Sequence, residues 1–217
     1  MKNRILIWFL FGCFLNTFAQ SNVNYPQDGI YGGVEIGVAL VNINGTFSNN
    51  ISKVVDEEFL SVDYIKSVIG INLGYGKYFG ESMIGIEAHY SLYTKKISDS
   101  FVQGNFDFDV SLSSKSEIDL IIGRKIGVKS LLTLRGGIAF SNINIIVDSN
   151  SGIDFYKLDK KWNGYSLGMG YVYGINENLS IKTKYNLTTF KNNKFPETKS
   201  NLVDNRATLS LIYRIGN

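Results

Sequence analysis

Cysteine, proline and histidine are nearly absent from these 217 residues, which hold one Cys, two Pro and one His. A lone thiol, Cys13, excludes an internal disulfide and any multi-cysteine metal or iron–sulfur centre. With His89 as the sole imidazole, a zinc site lacks its usual nitrogen and sulfur ligands, so no metal is expected. Proline, which costs a sheet one ladder hydrogen bond, occurs only at Pro26 and Pro196. Charge of one sign is missing too. Lys plus Arg number 22 against 19 Asp plus Glu, too balanced to attract nucleic acid, and none is expected as a partner. No glycine-rich phosphate loop opens a helix, so no cofactor is expected. Beyond residue 19 no apolar run approaches the roughly 20 residues of a membrane-spanning helix.

At the start, Lys2 and Arg4 precede an apolar run from Ile5 to Leu15, closed by Thr17-Phe18-Ala19. This is the pattern of a secretory leader cut after Ala19. Phe11 is bulky where a lipid-attachment box at Gly12-Cys13 would need a small residue. Losing Lys2 and Arg4 lowers the net charge from +3 to +1. Residues 1–19 are therefore predicted to be a signal peptide, 20–28 a flexible lead-in, and 29–217 a single domain.

What fills that domain is alternation of period two, broken by Gly, Asn, Asp or Ser clusters. Eight segments show it: 29–43, 66–79, 83–97, 108–126, 131–147, 163–175, 179–191 and 205–216. In the sixth, Tyr165, Leu167, Met169, Tyr171, Tyr173 and Ile175 alternate with Gly164, Ser166, Gly168, Gly170, Val172 and Gly174. In the fourth, Val110, Leu112, Ile118, Leu120 and Ile122 oppose Asp109, Ser111, Ser113, Glu117 and Asp119. Tight links near 80–82, 127–130 and 176–178 alternate with long ones near 44–65, 98–107, 148–162 and 192–204. The pattern predicts an all-β, eight-stranded antiparallel up-and-down barrel, or ten strands if a hairpin forms within 44–65.

Which face meets which solvent follows from size. A soluble barrel hides its large apolar side chains inside. Here the second face is too small and too charged to do anything but pack a narrow lumen, so the bulky face is assigned to hydrocarbon. Only Lys77 and Arg124 then face lipid, both beside short turns, where a cation costs about 0–1 kcal/mol rather than the 2–4 of mid-depth. Tyr75, Tyr90, Tyr171, Tyr173, Tyr213 and Phe140 fall on the lipid side as interfacial aromatics.

With its leader, the first strand Gly29-Ile-Tyr-Gly-Gly-Val-Glu-Ile-Gly and the closing Leu209-Ser-Leu-Ile-Tyr-Arg-Ile, the chain resembles the small outer-membrane barrel superfamily. That group includes the OmpA transmembrane domain, OmpX-like and opacity-type proteins. It departs from them in ending Ile215-Gly216-Asn217 rather than on an aromatic, a role Tyr213 is placed to take. The resemblance implies the outer membrane of a Gram-negative bacterium. It also implies outer-membrane lipid, lipopolysaccharide and the barrel-assembly machinery as partners, with a further ligand at the long loops.

The inward charges Glu35, Glu87, Asp119, Arg135, Lys182, Lys184, Arg206 and Arg214 are expected to form a lumen network. Folding about the turn near Val128 sets Asp119 opposite Gly137, with Arg135 as its diagonal neighbour. Glu87, His89 and Ser91 share one strand face and are the weak candidates for a catalytic set, similar to the His-x-Ser of lipid A deacylases. The loop lysines Lys157, Lys160, Lys161, Lys191, Lys194 and Lys199 could meet lipopolysaccharide phosphates. The expectation is a non-enzymatic, structural or adhesin-like barrel. A narrow channel or small-ligand transporter is the alternative, and a lipid A-modifying hydrolase a third.

Overall fold

The computed structural model describes residues 28–47, 58–94, 101–103, 106–149, 154–192 and 198–215. The leader and residues 20–27 of the lead-in lie outside them. Among the described residues nine strands form: β1 (Gly29–Phe47), β2 (Glu58–Phe79), β3 (Ser82–Tyr93), β4 (Phe101–Gln103), β5 (Phe106–Lys125), β6 (Ser130–Ser149), β7 (Asp154–Gly174), β8 (Leu179–Asn192) and β9 (Thr198–Ile215). Every ladder is antiparallel. The first strand pairs with the last and β3 pairs with β5, so eight strands close into a barrel. Closure leaves no unpaired edge along the wall, the condition for crossing hydrocarbon with strands.

Short turns join strands at one end. Gly80 turns the β2–β3 hairpin in the left-handed region, at φ 64°, where a side chain is strained. At the β7–β8 turn the Asn176 side chain accepts from the backbone N–H of Asn178 (3.0 Å) and of Leu179 (2.8 Å), a turn built by the side chain itself.

The strand boundaries differ from the sequence reading in instructive ways. Among the described residues of 44–65 there is no extra hairpin, because β1 and β2 themselves pair as far as Phe47 opposite Glu58. The added strand is instead β4, hydrogen-bonded to Phe106–Phe108. Strands β2, β7 and β9 begin eight, nine and seven residues earlier than the alternation suggested, at 58, 154 and 198. Lys157, Lys160, Lys161 and Lys199 consequently belong to strands rather than loops, Lys191 lies near the end of β8, and Lys194 lies outside the described residues. Ser113 is exposed rather than inward, because the β5–β6 register slips between Leu112 and Lys115. A slip of this kind moves residues to the opposite face.

Parity otherwise sorts the wall cleanly. Tyr165 and Leu167 are 75% and 70% exposed, whereas Ser166 between them is 7%. Leu73, Ile86, Leu120, Leu134 and Leu211 likewise stand outside. Lys77 and Arg124 face outward near the short turns, with Lys77 over the Phe79 ring (5.7 Å) and Arg124 beside Glu81 (3.7 Å).

A spanning strand needs only about 9–11 residues, yet β1, β2, β5, β6, β7 and β9 hold 18 to 22, against 12 in β3 and 14 in β8. The surplus must project at the long-loop end, since the other end is closed by tight turns. In sheet order, β2–β1–β9 and β7–β6–β5 thus rise as two groups separated by the shorter β8 and β3.

Inside, the barrel is layered. At the short-turn end Met83, Ile121, Leu131 and Val172 pack together, with Tyr78 against them. At the long-loop end a second apolar cluster gathers Ala39, Val41, Val68, Ala139, Trp162, Phe190 and Leu202, with Tyr93. Between the two layers the lumen is ionic.

Candidate functional site

The site is that ionic waist. Each of its side chains occupies an inward position of its strand: Glu35 on β1, Glu87, His89 and Ser91 on β3, Lys115, Glu117 and Asp119 on β5, and Arg135 on β6. Lys182, Lys184 and Asn186 come from β8, and Asp204 and Arg206 from β9. All are buried. The charge is brought together by closure of the barrel, not by nearness in sequence.

Glu87 is the hub. Both its oxygens lie 2.7 Å from the Lys182 ammonium, and Oε1 accepts from Arg135 Nη1 and Nη2 at 3.1 Å. His89 Nε2 stands 2.6 Å from the same oxygen. Arg135 also reaches Asp119 at 3.2 Å, and Ser166 donates to the other oxygen of Asp119 at 2.9 Å. Asp119 stands opposite Gly137. A Cβ at Gly137 would strike the Ile118 carbonyl and the Asp119 carboxylate itself, so glycine there makes room for the charge.

A second knot surrounds Glu35, with Lys184 at 2.9 Å and the Ser91 hydroxyl donating at 3.1 Å. His89 joins the knots, because Lys184 Nζ lies 2.9 Å from its Nδ1. The set is satisfied by an imidazole that donates from Nε2 to Glu87 and accepts at Nδ1 from Lys184, a tautomer assigned from the contacts. A third knot centres on Asp204, paired with Lys115 (3.2 Å) and Arg206 (3.0 Å). Tyr93 donates to Asp204 at 3.0 Å and accepts from Arg206 at 2.7 Å. Lys115 further meets Glu117 at 3.3 Å, which accepts from Asn186 at 2.9 Å.

Of the residues singled out in sequence, Glu35, Glu87, Asp119, Arg135, Lys182 and Lys184 thus meet in the waist. Arg206 joins the Asp204 knot, and Arg214 lies lower, its guanidinium 5.4 Å from the Tyr31 ring centre. Ser91 donates to Glu35, so no Ser–His pair is aligned within the set Glu87, His89 and Ser91. Sequence reasoning missed Lys115, Glu117, Asp204 and Tyr93 as network members. Glu117 and Lys115 share the parity of Asp119, a signal that was present. Asp204 shares the parity of Arg206 but falls one residue outside the segment drawn at 205–216. Among the described residues no group of side chains could hold a metal ion.

An antiparallel barrel, apolar outside and ionic inside, defines a protein whose outer solvent is lipid. The chain belongs to the outer membrane protein beta-barrel domain family, which it matches over residues 6–214. That family places it in the outer membrane of a Gram-negative bacterium. Comparison with curated proteins finds no match. Among solved structures it is similar to Neisserial surface protein A (14% identity, TM-score 0.49, 86% of this chain and 97% of that one). It is also similar to Ail, the attachment invasion locus protein of Yersinia pestis (12%, 0.42, 85% and 99%). The outer membrane protein OprG from Pseudomonas aeruginosa is a third (9%, 0.44, 88% and 98%).

Proposed function

We propose that the protein performs no catalysis and acts as a closed barrel, stiffening the envelope and presenting its outer strand extensions and long loops to an external ligand. The observation that carries this reading is the layered lumen: two apolar layers with an interlocked ionic waist between them. Eight strands leave an interior just wide enough for side chains to fill. One cavity in the lumen, bordered by Glu87, Arg135 and Lys182, is about 20 Å³, too small for a solute. The engaged hydroxyl of Ser91 speaks against the hydrolase, and the six strands that outrun the bilayer supply a surface for display.

Purified, folded protein in planar bilayers tests the closed lumen. Silence is expected, and reproducible discrete conductance would overturn the reading in favour of a narrow channel. Display is tested separately. Shortening the links at 48–57 and 150–153 should abolish surface attachment while the barrel still migrates as a folded species on unheated gels, and attachment that survives would end the adhesin reading.

A further inference from the structure

The outer wall is notched where β2, β1 and β9 run side by side. Outward positions Val34 and Ile36 of β1 have large neighbours across both ladders, Ile71 and Leu211 for the first, Ile69 and Leu209 for the second. The row of Val38 differs. Its partners are Ser67 and Ala207, small on both sides. Two short side chains in one row sink a trough of about 490 Å³ into the wall, lined by Ile36, Val38, Ser67, Ile69, Ala207 and Leu209. That volume falls within the roughly 300–1,000 Å³ of ligand pockets.

A polar ladder crosses the strands at the lip of this trough. Tyr185 on β8, directly opposite Ala207, donates to the Asn205 side chain at 3.0 Å, and Asn205 donates to Asn42 on β1 at 3.2 Å. From Ile30 to Leu40 the strand climbs about 25 Å at the usual tilt, the height of the apolar band. Asn205, opposite Leu40, and Asn42 just beyond it therefore mark the depth at which the band ends and the carbonyl linkages of lipids begin.

This wall faces hydrocarbon, where lipid tails are as apolar as leucine, so preference for one occupant rests on packing and hydrogen bonds. The trough offers both, a channel one side chain deep with the Ser67 hydroxyl inside it and amides at its lip. A second barrel brings only the same convex wall. Stable contact between copies needs about 1,000 Å² of buried surface, far beyond a notch left by two short side chains.

We propose that the trough seats one acyl chain of a lipid from the leaflet on the long-loop side, with the ester or amide carbonyl of that chain accepting from the Asn205 side chain. The seated chain is held while lipid elsewhere around the barrel exchanges. This goes beyond the display role and does not depend on it.

Photolabelling tests the site. Wild-type protein is folded into phosphatidylcholine vesicles in which a minor share of the lipid carries a diazirine on one acyl chain, irradiated, and mapped by peptide mass spectrometry. Labelling of Ile36, Val38, Ile69 and Leu209 is expected to exceed several-fold that of Leu120 on β5 and Leu134 on β6. Even labelling around the barrel overturns the proposal. Ser67→Leu with Ala207→Leu fills the trough with side chains suited to a lipid-facing wall, and gel mobility of unheated samples checks that this variant folds. The excess should vanish there and shrink in Asn205→Leu, and an excess that survives filling sinks the idea. A dimer cross-linked through the trough residues in place of lipid adducts would give the site to a second copy of the chain. If the filled variant fails to fold, the wild-type map still decides.

Discussion

The charged waist of the lumen and the two apolar layers that bracket it all occupy inward positions of the wall strands, yet they solve opposite problems. The apolar layers exclude water and tolerate any side chain of about the right volume. The waist holds five carboxylates that are stable there only because particular cations from distant strands reach them: Lys182 meets Glu87 across 95 residues of sequence, and Lys115 meets Asp204 across 89. Inward parity says only that a residue avoids lipid. Whether it sits in a greasy or an ionic layer depends on its depth.

The comparison predicts unequal responses to substitution. The largest is expected for Glu87→Ala, which strands Lys182, leaves Arg135 with Asp119 as its carboxylate partner, and should cost about 3–5 kcal/mol, as for a broken buried pair. Urea unfolding in detergent, followed by gel mobility, measures it, and a loss below 1 kcal/mol would erase the distinction between waist and layers. Leu202→Ala in the outer apolar layer should cost about 2–5 kcal/mol, with the value set by how far its neighbours relax. It should leave the ionic network intact, as judged by unchanged resistance to salt.

Replacing the hub as a unit sharpens the contrast through its sign. Glu87→Met with Lys182→Met, which leaves Arg135 paired with Asp119, should be neutral or stabilising by about 1–4 kcal/mol, since a buried ion pair often loses to packed apolar groups. A double variant less stable than Glu87→Ala alone would show that the waist contributes more than paired charge. On the outside, Leu134→Arg should cost about 2–4 kcal/mol. Arg124→Gln should be the smallest change, about 0–1 kcal/mol, because the exposed Arg124–Glu81 pair sits at the interface.

Much of this was legible from residue order, for physical reasons. Bilayer-facing strands must alternate, and tight turns need Gly and Asn, so the eight wall strands and their faces could be read from the sequence. The Asp119–Arg135 contact followed from one turn and the geometry of diagonal neighbours. Reading failed where the solvent changes. Beyond the bilayer the outward positions become Asn42, Asn142, Lys161 and Asn163, while the inward ones become Val41, Ala139 and Trp162. Alternation persists there with its polarity reversed, so a search for greasy-outside segments stops short of the true start of β7. The register slip at Leu112/Lys115 was invisible as well, because Ser113 and Ser114 carry no preference for either face.

The seam between β1 and β9 has a temporal meaning. Gly33 opposite Ile212 and Ala39 opposite Arg206 join the two extremes of the barrel domain, so the cylinder cannot shut until its final strand arrives. That strand also delivers Asp204 and Arg206, without which Lys115 on β5 keeps only its neighbour Glu117 and the hydroxyl of Thr188. Sealing the wall and neutralising the long-loop side of its interior are therefore one event, and a chain stalled before the eighteen residues of β9 is left both open-sided and electrically mismatched.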